Sequence, residues 1–163
     1  MNNLIVYGSL INKDELLKEG ISLEDIELVK VLHLKRVFNQ EPSYRFVDSS
    51  NRAVLSVREE KDFWFNAIVI KNLSNEYFKT LDIREKGYNR VYLEKDRVKN
   101  YNNIVISDCI IYIGKEQKKN EEILPNFDYL KICLNGAESF GKEFLNDFLK
   151  TTYKNSEDGL TLI

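Results

Sequence analysis

Proline and glycine are scarce, at two and seven residues in a chain of 163. A sequence so poor in turn formers is neither collagen-like nor a flexible low-complexity polymer, and no repeat or biased block interrupts it. Cysteine is scarce as well: Cys109 stands in DCIIYI and Cys133 in KICL. Their spacing fits neither a metal site nor a redox pair, so both read as buried structural thiols. The lone histidine, His33, alternates within the strand-like segment VKVLHLKRVF and reads as a strand residue rather than half of a Cys–His nucleophile. No apolar run approaches the roughly 20 residues of a membrane span, and the N-terminus lacks the basic lead, apolar core and small-residue cleavage site of a signal peptide. Nor is there a surplus of one charge, because 24 basic residues are scattered among 26 acidic ones for a net charge of −2. These absences argue against nucleic acid or an anionic membrane as a partner and favour a soluble, cytoplasmic protein.

What is present is enough apolar material for one sizeable core, 43% of all residues, so residues 1–163 read as a single domain. Strand-like runs are expected at Ile26 to Phe38, Ala53–Val57, Trp64–Ile70, Arg90 to Val98 and Ile104 to Ile113. NQEPSYR should break the first of these, the charged loop REEKD should join the next two, and KNYNN should turn between the last two. The aromatic cluster Phe63-Trp64-Phe65 suits core packing or a pocket wall. Leu73 to Leu81 has the pattern of a short amphipathic helix with Ser74 as N-cap. GKEQKKNEE reads as a solvated loop or a lid. From Phe127 onward the apolar spacing predicts two helices, broken near Asn135-Gly136. Strands with inserted helices and a helical tail make the fold class α+β.

Two stretches carry chemistry. The first is LDIREKGYNRVYL, Leu81 to Leu93, a polar knot of two acids, three bases, two tyrosines and a glycine between apolar strands. At its centre is Glu85, followed two residues later by Gly87, where the missing Cβ permits a positive φ or a close backbone approach. A carboxylate at a turn beside apolar strands either sits in water as an ordinary charged loop or, if desolvated, has a raised pKa suited to a general base. The second stretch is the N-terminal strand ending in Tyr7-Gly8-Ser9-Leu10, followed by the helix-like LINKDELLKEG. A strand that breaks at glycine and enters a helical turn leaves several backbone N–H groups unpaired and pointing together, which suits an anion, although such a turn is often only a turn. Asn12 and Glu15 are spaced for a reciprocal cap on that helix.

Tyr7-Gly8-Ser9-Leu10, then Leu81-Asp82 with Arg84-Glu85 and Gly87-Tyr88-Asn89-Arg90, then Pro125-Asn126-Phe127-Asp128-Tyr129 leading to Asn135-Gly136-Ala137, occur in this order. In order and spacing they resemble the gamma-glutamylcyclotransferase-like superfamily, which includes AIG2-like and ChaC-type proteins. The sequence departs from the family where alanine, Ala67, follows Phe-Asn in place of glycine. The resemblance implies a small mixed β-barrel flanked by helices, with a helical C-terminal region. It also implies a reaction in which the α-amine of a γ-glutamyl amide attacks its own γ-carbonyl, releasing 5-oxoproline and an amino acid, peptide or amine.

Carried over residue by residue, the resemblance makes Glu85 the catalytic base and then acid. The backbone of Tyr7, Gly8, Ser9 and Leu10 becomes the site of the substrate α-carboxylate, and Tyr88 and Tyr129 become substrate contacts. It implies no metal and no cofactor, a small γ-glutamyl molecule as the partner, and a monomer or homodimer. The block around Glu85 looks closest to the glutathione-acting branch and the Pro125–Ala137 block closer to the branch acting on γ-glutamyl amino acids, so the leaving group stays open. The alternative is a non-catalytic protein that uses the same pocket to bind a γ-glutamyl-like ligand or a protein partner.

Overall fold

The structure, a computed structural model, describes residues 2–44 and 48–160. Its strands are β1 (Asn2–Val6), β2 (Ile26–Gln40), β3 (Val54–Leu73), β4 (Tyr88–Tyr92), β5 (Val98–Asn100), β6 (Cys109–Gly114) and β7 (Thr152–Tyr153). The helices are α1 (Lys13–Lys18), α2 (Asn75–Arg84), α3 (Phe127–Ser139) and α4 (Lys142–Lys150). The strands form one sheet in the order β4-β6-β1-β3-β2-β5, with β7 also on β2. β1 runs parallel to β6 and β7 parallel to β2, and the other neighbours are antiparallel. The α+β class holds, but the expected barrel does not. The end strands β4 and β5 do not pair with each other, so the sheet stays open.

β2 and β3 are the spine of the sheet, and their pairing overrides a loop expected from charge alone. REEKD does not separate two strands. β2 runs unbroken past it, pairing Leu34 with Glu59 below and Leu32 with Trp64 above, so the charged residues bulge within one continuous β3. His33 and Asp62 take positive φ at this bulge, 64° and 71°, and Lys61 and Asp62 stay exposed while the ladder continues on both sides. At the far end β2 extends through Gln40; of the break expected there, residues 41–44 lie outside the strand ladder and Arg45 lies outside the described residues. The segment from Arg90 to Val98 is also shorter than expected: β4 stops at Tyr92, and a 3₁₀ turn at Lys95–Arg97 precedes β5.

The helices close over the ends of this sheet. Ser74 caps α2 as expected by accepting from the Tyr77 N–H, and the helix runs on to Arg84, leaving Glu85 as its C-terminal cap residue. Asn12 caps α1 by accepting from the Asp14 N–H at 2.9 Å. Glu15 does not return the bond but lies 3.8 Å from Lys18. The two C-terminal helices are not broken at Asn135-Gly136. α3 passes through both residues, and the break falls at Gly141, whose φ of 102° a side chain would strain. Gly136 serves close approach instead: a Cβ there would lie 2.6 Å from the Asn12 backbone nitrogen and 2.8 Å from the Ile11 carbonyl carbon. Helix α3 is thereby seated directly on the turn Ser9–Ile11 that follows β1. Cys109 and Cys133 are buried and in no disulfide, and His33 is exposed.

Candidate active site

The end of β1, the C-terminus of α2 and the first turn of α3 converge on one cavity of about 730 Å³. Glu85, Tyr7, Gly8, Ser9, Leu10, Tyr88 and Tyr129, the residues singled out from sequence, all line it. The structure therefore brings together every expected position, although they are up to 122 residues apart, from Tyr7 to Tyr129.

Each wall has a local cause. β1 pairs with β6 through Ile5 and with β3 through Val6, and the chain then leaves the ladder at Tyr7 and enters the turn Ser9–Ile11. Ile11 and Asn12 donate back to the carbonyls of Gly8 and Ser9 at 3.1 and 3.0 Å. Among the described residues, the N–H groups of Gly8, Ser9 and Leu10 donate to no backbone carbonyl, which leaves donors on a segment that lines the cavity. Gly8 has no room for a side chain, because a Cβ there would run into the Tyr129 hydroxyl. Tyr129 is set on the first turn of α3, where the Asn126 side chain caps the helix by accepting from the Tyr129 N–H at 3.0 Å. Its ring packs edge-on against Phe38.

Glu85 sits where α2 ends and its N–H donates to the Leu81 carbonyl at 2.7 Å. Burial raises its pKa above the ordinary 4.5, nearby Glu19 adds to the rise, and the Arg84 guanidinium opposes it. Arg84 cannot fully compensate: it approaches Glu85 at 3.4 Å while also holding Glu19 at 3.1 Å. Glu85 is thus partly buried in the cavity wall, and burial is the first cause of its raised pKa.

Tyr7 and Tyr88 are donors in the cavity wall. Burial raises Tyr7 and Tyr88 well above their ordinary pKa. Tyr7 donates to the Tyr112 carbonyl at 2.6 Å and Tyr88 to the Leu55 carbonyl at 2.7 Å, so each phenol is held by the sheet. Tyr112, which no motif marked, also lines the cavity and donates to Asp82 at 2.6 Å. Ser43 was missed as well. It lines the cavity with a buried hydroxyl that finds no hydrogen-bond partner among the described residues, and a Cβ on Gly87 would lie 2.6 Å from its oxygen. The sequence signal at Gly87 was thus close approach, not positive φ. Phe65 turns into the core against Tyr7 and does not line the cavity. Among the described residues no cluster of His, Cys, Asp or Glu could hold a metal ion, and no helix is long and apolar enough to cross a membrane.

Neither a protein-family model nor a curated protein matches this sequence. Solved structures do match it by shape. YkqA from Bacillus subtilis superposes with a TM-score of 0.69 at 16% identity over 89% of this chain, which spans only 51% of YkqA. A gamma-glutamyl cyclotransferase superposes with a TM-score of 0.67 at 15% identity, covering 99% of this chain and 93% of that one. A yeast gamma-glutamyl cyclotransferase specific to glutathione gives 0.57 at 15% identity, over 92% and 94% of the two chains. At such identities the likeness is one of fold, and the fold of this chain is the gamma-glutamyl cyclotransferase-like one.

Proposed function

We propose that this chain is a cyclotransferase that opens a γ-glutamyl amide by attack of the substrate's own α-amine. The observation that carries the reading is the placement of a desolvated Glu85 in the same cavity as the open N–H groups of the Tyr7–Leu10 loop. In this reading the loop amides take the α-carboxylate and fix one end of the substrate. Glu85, its pKa raised, takes a proton from the α-ammonium and frees the amine lone pair. The new N–C bond closes a five-membered ring at the γ-carbon, and the bond from that carbon to the leaving nitrogen breaks as Glu85 returns its proton there. The remaining extra proton on the ring nitrogen passes to the released amine, the stronger base. Holding amine and carbonyl face to face supplies much of the acceleration, since well-oriented ring closures reach effective molarities of about 10⁵ M or more.

The test is release of 5-oxoproline, followed by mass spectrometry, from a panel of glutathione, γ-glutamyl amino acids and γ-glutamyl amines. Wild type should release it from at least one class and Glu85→Gln at least about 10²-fold more slowly. A Glu85→Gln variant that keeps its rate would remove the base from the scheme, and a folded but silent wild type would favour a binding role for the cavity. Gly8→Val, whose side chain must displace the Tyr129 hydroxyl, should weaken binding of glutamate-like ligands by about tenfold or more in a titration.

A further inference from the structure

Beneath the Tyr7–Leu10 loop lies a cation to which the scheme above gives no part. Arg36, on β2, is fully buried at 0% exposure. Its Nε donates to Thr152 Oγ1 at 2.9 Å, and its Nη1 to the carbonyls of Tyr7 at 3.3 Å and Asn66 at 2.5 Å. Its Nη2 donates to Asn66 Oδ1 at 2.8 Å, the Phe148 carbonyl at 3.3 Å and Thr151 Oγ1 at 3.0 Å. The rings of Phe65 and Phe148 lie 5.4 and 4.0 Å from the guanidinium carbon. All these acceptors are neutral. Burial pushes the guanidinium down to about 9, which leaves it a cation at neutral pH. A buried charge without a counter-ion is costly, and a packed apolar side chain would serve folding alone more cheaply.

The bond to Tyr7 ties this charge to the cavity. Peptide bonds among the described residues are trans, so the Tyr7 carbonyl and the Gly8 N–H point in opposite directions. With the carbonyl drawn inward onto Nη1, the Gly8 N–H is turned away from the core, on a residue that lines the cavity. A carbonyl that accepts from a cation also polarises its own peptide and strengthens the N–H as a donor. We propose that Arg36 is a positioning residue for the anion site: it turns and polarises the Tyr7–Gly8 peptide so that the Gly8 N–H binds the substrate carboxylate, and it supplies the positive charge that this carboxylate balances. The inference rests on the γ-glutamyl reading of the cavity.

Two probes separate the carboxylate from the rest of the ligand: 5-oxo-L-proline and its carboxamide, titrated into the labelled full-length chain and followed by amide NMR. Wild type should bind the carboxylate at least about tenfold more tightly than the carboxamide, with the Gly8 amide proton moving downfield. Arg36→Met should bring that preference close to one, and Arg36→Lys should restore part of it. Asn66→Asp places a carboxylate against Nη2 and should lower the preference while the guanidinium stays, which separates charge from packing. If Arg36→Met does not fold, Asn66→Asp and the wild-type Gly8 signal decide. A wild-type preference that persists in Asn66→Asp or Arg36→Met, or a Gly8 signal unmoved by bound 5-oxoproline, overturns the role of Arg36 alone. A wild type that binds neither probe, or both equally, overturns the carboxylate site itself and the inference with it.

Discussion

Two arginine–glutamate pairs in this protein have opposite electrostatics. In the loop after β2, Arg52 grips Glu41 with two bonds, Nε to Oε1 at 2.6 Å and Nη2 to Oε2 at 2.8 Å, and Asn120 adds a third at 2.9 Å. The Arg52 hydrogen bond leads in holding Glu41 down to about 2. At the end of α2, Arg84 meets Glu85 through a single contact of 3.4 Å and divides its charge with Glu19. Burial then dominates and the Glu85 pKa rises. The side chains keep similar accessible surface, 28% and 23%, but Glu85 is enclosed more deeply in protein, and burial leads among the causes of its raised pKa as the Arg52 bond leads at Glu41. Two things separate them, the depth of burial and whether the lone pairs are filled. A fork-to-fork pair fixes a charge, whereas a shared, one-sided arginine leaves a carboxylate able to change protonation state.

The largest effect that this contrast predicts is on turnover. Glu85→Gln should lower 5-oxoproline release by about 10²–10⁴-fold. Glu41→Gln should leave it within about twofold, since a carboxylate locked by three bonds has no proton to trade. Equal losses in both variants would erase the distinction.

Stability should separate the pair in the opposite sense. The Glu41 pKa is depressed, so its contribution is present above the ordinary 4.5 and fades as pH falls toward about 2. Glu41→Gln should therefore lower the thermal midpoint at pH 7, with the deficit shrinking through that window. The Glu85 pKa is raised, so its protonated form favours the fold below 4.5 and its charge costs stability once the pH passes the raised value. Glu85→Gln should raise the midpoint at pH 7 and not at pH 4, and melting curves at both values check the two signs together.

The contrast between these pairs was invisible in the sequence, where RE and E…R are only charges. Glu85 could be singled out because its neighbours formed a dense polar knot between apolar strands, and Gly8 because a strand ended there. The α+β class and the Ser74 cap followed from period and capping chemistry that act within a few residues. Closure of a barrel could not follow, because it depends on which strands become edges, and β4 and β5 are set by pairings with β6 and β2 far along the chain. The REEKD bulge was lost for the same reason: β2 templates β3 on both sides of it. Ser43 and Tyr112 reach the cavity through tertiary packing and carry no local pattern. Arg36 did leave a trace, a charge in phase with Leu34 and Phe38 on a buried strand, but its bond to Tyr7 needed coordinates.

The smallest predicted effects test the shared arginine itself. Arg84 lowers the Glu85 pKa and Glu19 raises it, so the two neighbours should move the acidic limb of kcat/KM in opposite directions. Arg84→Met removes the opposing cation and should carry the limb to higher pH. Glu19→Gln removes a like charge and also frees Arg84 from its 3.1 Å partner, so both consequences act together and the limb should move to lower pH. Both displacements should stay below about one pH unit, because the groups are partly exposed and salt screens them, and both should shrink as ionic strength rises. Buried geometry rather than charge would then be fixing Glu85 if the limb ignored both substitutions, since desolvation, the first cause of its raised pKa, is untouched by either.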